Sequence, residues 1–322
     1  MRARILGVSI WLSLFAALPG MAQSGPDWFT NTPLTTQDGK VVHLYDDLLK
    51  GKSVVVNLIY TRCTASCPLE TAKLSQVQKL LGDRVGKDIF FYSISIDPKH
   101  DTPEVLKAYA ARFHAGPGWL FLTGAPDGIK LVSKRLGLAS LTDAANRDGH
   151  QPSLMVGNEP SGQWMRNSAV DNPRFLAATI VHFIDGYSSV KQASYADVSL
   201  RPVGKGEYLF KSRCAACHTV GGGNAVGPDL VDVQKRRDRA WLTRYVTTPD
   251  VLLAQRDPIA LALFEQYRTV RMPNLDLAVE DADAILHYVE LRSRAAAGAR
   301  SATGPRTAAA APEIGGGAGG AK

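Results

Sequence analysis

The chain has 322 residues, 45% hydrophobic and 21% charged, with a formal net charge of +7. That length exceeds the range over which one hydrophobic core keeps growing, so two domains are expected. With the two N-terminal arginines and the net +3 of residues 293–322 set aside, about +2 remains for the rest, which gives a nucleic-acid-binding role no support.

Residues 1–22 have the layout of a secretory signal: Arg2 and Arg4, an apolar run from Ile5 to Leu18, then Pro19-Gly20 and small residues before Gln23. The apolar run is short for a bilayer span of about twenty residues. Export, with cleavage near Ala22, is the expectation, and an uncleaved membrane anchor is the alternative. The four cysteines form two close pairs, Cys63 with Cys67 and Cys214 with Cys217. None is left over for a long-range disulfide, so in an exported protein both pairs are expected to have specific work.

From residue 26 to 190, β-rich and helical stretches alternate. Ser53–Tyr60 reads as a strand buried on both faces, with β-branched residues and no interior charge. A helical pattern follows from Leu69 to Leu81, with Leu74, Val77, Leu80 and Leu81 on one side. Ile89–Ile96 is a second buried strand. Thr102-Pro103-Glu104 is a helix start, with a capping hydroxyl, proline in the first turn and an acid at the positive end of the dipole. Val105, Leu106, Tyr109 and Phe113 mark that helix's expected buried face. Leu120–Leu122, Ser153–Val156 and Gly162–Met165 are candidate strands, and Phe175–Ile184 is a final helix. This alternation implies an α/β domain with a βαβ sheet covered on both faces.

Between the first strand and the first long helix runs Tyr60-Thr61-Arg62-Cys63-Thr64-Ala65-Ser66-Cys67-Pro68. Thiols four apart come close when the second sits in the first helical turn, where the dipole also stabilises thiolate. Three readings stand at this point. One is a static disulfide, which in so short a loop gains little from cross-linking. The second is a catalytic thiol–disulfide pair. The third is a soft-metal site, because thiolates select Cu(I) and an added imidazole also suits Cu(II).

The run Tyr60–Pro68, with Ser95-Ile96-Asp97-Pro98 and Asp101-Thr102-Pro103-Glu104-Val105-Leu106-Lys107-Ala108-Tyr109, strongly resembles the Sco/SenC family over about residues 27–190. The resemblance implies a thioredoxin-like copper protein that assists assembly of the copper centre of cytochrome c oxidase. It further implies one copper, cycling between Cu(I) and Cu(II), held by Cys63, Cys67 and His150. It leaves His43, His100, His114 and His182 as structural residues and the role of Asp97 open. Two departures lean toward thiol chemistry without displacing the copper reading: Thr64 stands where the family usually has proline, and Gln151-Pro152-Ser153 puts a proline before a strand, as thioredoxin-like oxidoreductases do.

Residues 191–203 read as a polar linker, and from Gly204 the composition turns helical. Cys214-Ala215-Ala216-Cys217-His218 places two thiols to add to the vinyl groups of haem and a histidine to ligate its iron. The run resembles the attachment site of c-type cytochromes, which implies one covalent haem c and attachment outside the bacterial cytoplasm. Met272 in Arg-Met-Pro-Asn-Leu is the preferred second axial ligand, because Pro273 stiffens its loop. His287 lies in an amphipathic helix over Asp281–Arg292, where a packing or surface role is expected. Gly227-Pro228-Asp229-Leu230 and Met272-Pro273-Asn274-Leu275 also look like the loops of small class I cytochromes c, the likeness covering Gly204–Arg292. By that likeness Pro228 lines the histidine side of the haem. The basic run Lys235–Arg237 with Arg239 suits either an acidic redox partner or a solvated surface, since 204–292 balances in charge. After Arg294 the Ala/Gly/Pro-rich tail within 293–322 has little to bury and is expected to be disordered.

The expected architecture is therefore an α/β thioredoxin-like domain followed by a small all-α cytochrome c domain. His/Met ligation raises a haem potential. A haem roughly 300 mV above a dithiol makes disulfide reduction uphill by about 14 kcal/mol for two electrons, whereas one-electron exchange with copper escapes that gap. Three functions follow. The first is a periplasmic copper-transfer protein with a haem electron-transfer module, serving the copper-bearing oxidase subunit and other periplasmic redox proteins. The second is an enzyme, a thiol–disulfide oxidoreductase acting through Cys63 and Cys67 on the cysteines of an oxidase subunit. The third is a plain electron carrier.

Overall fold

The structure is a computed structural model; it describes residues 25–139, 152–186, 202–267 and 270–302. Residues 1–22, read above as a leader, His150, most of the segment 191–203 read as a linker, and residues 303–322 lie outside the described residues.

The N-terminal half is built on one seven-stranded sheet in the order β2-β1-β5-β4-β3-β6-β7. The strands are β1 (Pro33–Thr36), β2 (Val41–His43), β3 (Ser53–Ile59), β4 (Ile89–Ser95), β5 (Trp119–Thr123), β6 (Ser153–Asn158) and β7 (Gln163–Ser168). The central trio β3, β4 and β5 is parallel, β1 and β6 join it antiparallel, and β7 pairs antiparallel with β6. β3 is buried along its whole length, as its unbroken apolar sequence predicts. Its period of two sends Val55 and Ile59 to one face and Val54, Val56 and Leu58 to the other.

Helices α1 (Pro26–Phe29), α2 (Cys67–Leu81), α3 (Pro103–Arg112), α4 (Pro126–Arg135) and α5 (Pro173–Asp185) flank the sheet. Residues of α2, α3 and α5 share the first core, and those of α1, α4 and the wide-turn helix Leu44–Leu49 share the second. The predicted start of α3 is formed as read, with Thr102 Oγ1 accepting from the Val105 amide. Two burial expectations fail. Val105 is exposed because it sits in the first turn of α3, ahead of the residues that meet the sheet, and Leu80 is exposed beside the buried Leu81 at the end of α2. The β1–β2 hairpin and α4 were not foreseen, and β7 begins at Gln163 rather than Gly162.

The C-terminal half is helical: α6 (Lys205–Leu209), a π-type turn at Phe210–Cys214, α7 (Val233–Arg236), α8 (Arg239–Thr247), α9 (Pro249–Ala254), α10 (Pro258–Gln266) and α11 (Val279–Ala302). α6 crosses α11 at Gly206, where a Cβ would meet the Ala284 carbonyl oxygen at 2.1 Å, so the contact requires glycine. The last helix runs past Arg292 to Ala302 and so extends into the segment expected to be unstructured. Alanine-rich composition supports that extension, because it carries high helix propensity even with little apolar surface to bury.

Candidate functional site

The loop from β3 to α2 carries the first cysteine pair. Cys67 is the first residue of α2 and Pro68 the second, so the proline's missing amide costs no hydrogen bond. Both cysteines are free thiols, 4% and 0% exposed, packed with Tyr60. Their titrations separate. A hydrogen bond from Cys67, helped by backbone amides of Cys67 and Ala65, lowers the Cys63 thiol to about 6 against the opposing effect of burial. Burial, with the neighbouring Cys63 and Glu70, pushes Cys67 well above its ordinary value. The pair therefore holds one thiolate and one thiol near neutrality.

A buried polar frame fixes this loop. The Asp101 carboxyl accepts from the Thr61 amide at 3.1 Å and from the hydroxyls of Thr61 and Ser95, each at 2.5 Å. Asp97, 2% exposed, takes Arg62 Nη2 at 3.0 Å and contacts His100 Nδ1 at 2.9 Å. Arg62 is the residue before Cys63, so this bond ties down the loop next to the first cysteine. Beneath the pair, Glu70 is fully buried, and desolvation raises its carboxyl to about 8. Among the described residues no group of three His, Cys, Asp or Glu side chains is gathered to hold a metal. The third ligand read from the resemblance, His150, lies outside the described residues, so the structure supplies two of the three.

The second pair opens on a cavity of about 400 Å³. Cys214, Cys217, His218 and Met272 all line it, together with apolar side chains that include Trp241 and Leu286. His218 Nδ1 bonds the Pro228 carbonyl at 2.9 Å, which fixes the proton on Nδ1 and leaves Nε2 free as a ligand. Burial lowers the His218 pKa, so the ring is neutral. Gly227 lies against the ring: a Cβ there would sit 2.7 Å from His218 Cε1. Burial likewise pushes the Cys214 and Cys217 thiols up to about 12. Two neutral thiols, an oriented imidazole and a thioether around an apolar cavity fit a covalently held haem. His287 is exposed on α11 and lies apart from the cavity. In the basic run, Lys235 pairs with Asp232 at 3.1 Å and Arg239 with Asp283 at 2.9 Å, the pattern of a solvated surface.

The two centres share α2. Leu69, two residues beyond Cys67, forms part of the wall of the second cavity. Gln76 Nε2 donates to the Ala215 carbonyl, between the second pair of cysteines, at 3.3 Å. The Asn274 amide, two residues after Met272, donates to the Thr64 carbonyl, one residue after Cys63, at 2.9 Å. Ala216, Cys217, Val226 and Val270 complete the seam by packing on the N-terminal core. The burial of α2 agrees with this arrangement: Glu70, Thr71, Lys73 and Ser75 are polar, yet all are buried. Polar residues buried along most of a helix need a cover on their outer side, here up to the exposed Lys79 and Leu80.

Comparison with known proteins assigns the two halves separately. The SCO1/SenC family model matches residues 25–165, and the cytochrome c model matches residues 203–292. An SCO1 protein homolog of Bacillus subtilis is 39% identical over 89 residues, which are 27% of this chain and 45% of that protein. An SCO2-like protein of Rickettsia felis is 29% identical over 146 residues, 43% of this chain and 68% of its own length. The chain thus spans under half of the Bacillus relative. Among solved structures, a SCO1/SenC family lipoprotein from Bacillus anthracis aligns with TM-score 0.40 and 29% identity over 46% of this chain and 89% of its own. Arabidopsis thaliana ScoI with copper bound aligns with TM-score 0.41 and 25% identity, over 48% of this chain and 96% of its own.

Proposed function

From a chain that carries a SCO1/SenC domain at residues 25–165 and a cytochrome c domain at 203–292, we propose a copper-binding assembly factor for the copper centre of cytochrome c oxidase with an attached haem electron-transfer module. Copper is its cargo. The carrying observation is the buried Cys63–Cys67 pair at the head of α2, already one thiolate and one thiol, with a framework that holds it ready. A soft ion needs deprotonated sulfur, and here the first thiolate exists before the metal arrives. His150 is the third ligand in this reading and supports retention of Cu(II).

Cys214 and Cys217 would hold the haem, and His218 and Met272 would be the side chains offered to its iron. The haem supplies reversible one-electron transfer at a raised potential. The chain orients His218 through Pro228, excludes water with Trp241 and Leu286, and closes the cavity with Leu69. The leader-like layout of residues 1–22 and the c-type attachment motif support a location outside the cytoplasm in this proposal. Its partners are the oxidase's copper-bearing subunit and other periplasmic redox proteins.

A second reading, thiol–disulfide exchange on an oxidase subunit, is favoured by the unequal titration of the two sulfurs, which suits a nucleophile and a buried resolving thiol. Anaerobic Cu(I) titration followed by oxidation separates the two, using wild type and His150→Ala. Copper carriage predicts one tightly held Cu(I) per chain and loss of Cu(II) retention in the variant. An oxidoreductase retains full dithiol activity in the variant and shows no such loss.

A further inference from the structure

Asn274 sits where both centres can be felt. Its amide donates to the Thr64 carbonyl at 2.9 Å, its side-chain Nδ2 donates to Asp250 Oδ1 at 2.9 Å, and its Oδ1 accepts from the Asp276 amide at 3.0 Å. The residue is clamped on the cytochrome side by two bonds and on the Sco side by one. From the sulfur of Cys63 to the sulfur of Met272 the path is Cys63–Thr64, one hydrogen bond, then Asn274–Pro273–Met272. Pro273 removes slack from the last step, because its φ is fixed. A second path runs through α2 itself, where Cys67 and Leu69 stand about 3 Å of helical rise apart and Leu69 lines the cavity with Met272.

A metal ion held between Cys63 and Cys67 sets the distance and angle of both sulfurs, and so bears on the Thr64 carbonyl that adjoins Cys63. Close-packed seams pass such shifts on rather than absorbing them, and Thr64 and Asn274 are both half-buried here. We propose that the Thr64–Asn274 hydrogen bond and the Leu69 wall couple the two centres, so that metal on Cys63 and Cys67 changes how firmly Met272 reaches the iron. Linkage makes the effect reciprocal: the oxidation state of the haem then alters the affinity of the thiol pair for its cargo. Asn274 and Leu69 are positioning residues in this scheme, since neither binds the metal. The proposal rests on the reading of Cys63 and Cys67 as a metal site and adds a regulation of that site.

The test is a mediated potentiometric titration of the haem in the whole protein, with and without saturating Zn(II), a thiolate-binding ion that exchanges no electrons. A coupling of about tenfold in affinity appears as a shift of about 59 mV in the one-electron potential. Zinc also changes the sulfur-to-iron charge-transfer band of the ferric protein. Asn274→Pro, which removes the donating amide, binds zinc and loses the shift; Leu69→Ala reduces it and serves if the proline variant fails to fold. The Cys63→Ser/Cys67→Ser protein shows no zinc response. Zinc bound at one per chain with an unmoved potential and band in wild type overturns the coupling alone. No zinc uptake by the wild-type thiols overturns the metal-site reading, and the coupling falls with it.

Discussion

The Gly227 backbone lies so close to the His218 imidazole that a single added methyl group would stand 2.7 Å from Cε1, while Pro228 holds the same ring by its Nδ1 at 2.9 Å. Adjacent residues thus press and hold one side chain, which leaves Nε2 only one direction in which to point.

Gly227→Ala is therefore expected to displace His218 and break its bond to Pro228. Overpacking of this kind costs about 1–3 kcal/mol. Haem content per chain should fall and the urea midpoint should drop; a variant with full haem content and an unchanged midpoint would contradict the geometry.

Metal-free protein should show one thiolate step in its ultraviolet absorbance near pH 6, measured as the difference from Cys63→Ala. No second step follows until strongly alkaline pH, because burial and its neighbours hold Cys67 protonated. In Cys67→Ala the principal hydrogen bond to Cys63 is gone, so its step moves up toward the ordinary thiol value of 9.0.

Asp101→Ala should strip the acceptor from the Thr61 amide and from two hydroxyls. Buried donors left unpaired against a lost acidic partner cost about 3 kcal/mol. Urea unfolding monitored by circular dichroism measures this, and copper affinity should fall with it because the loop carrying Cys63 loses its anchor.

Glu70 links stability to pH. Desolvation raises its folded-state pKa to about 8, above the ordinary 4.5, so the folded state binds more protons between those values. Stability is accordingly highest below about pH 4.5 as far as this group is concerned, falls as pH rises through that window, and stays low above about 8, by a few kcal/mol in all. Glu70→Gln keeps the shape without the charge. It should match wild type in urea unfolding at pH 5 and exceed it at pH 9.

The two centres differ in how far local sequence revealed them. Cys214–His218 is contiguous, and its chemistry is written in adjacent residues. Cys63 and Cys67 could be placed at a helix head from the apolar run of β3 and from Pro68, but Asp101, which holds their loop, is brought there by the crossover to β4 and α3. The roles of Leu69 and Asn274 were not legible at all. A leucine on an apolar helix and an asparagine after a proline look ordinary, and only the packing of the haem-binding half on α2 gives them work. Leu80 and Val105 failed for the same reason in reverse: helical spacing identifies a face, while the element packed on it decides where that face ends. Strand β1 likewise depends on β5, distant in sequence, and Phe210 at the start of the π-type turn packs with Ile285 and Val289 of α11.

The central claim is that one chain holds haem in its C-terminal half and copper on Cys63 and Cys67. Anaerobic Cu(I) titration of the haem-loaded protein against a competing chelator, with metal analysis of the product, tests it most directly. The account predicts one copper for each haem in wild type and none retained by Cys63→Ser/Cys67→Ser. Equal copper in both proteins, or a full complement of haem with no copper in either, would contradict it.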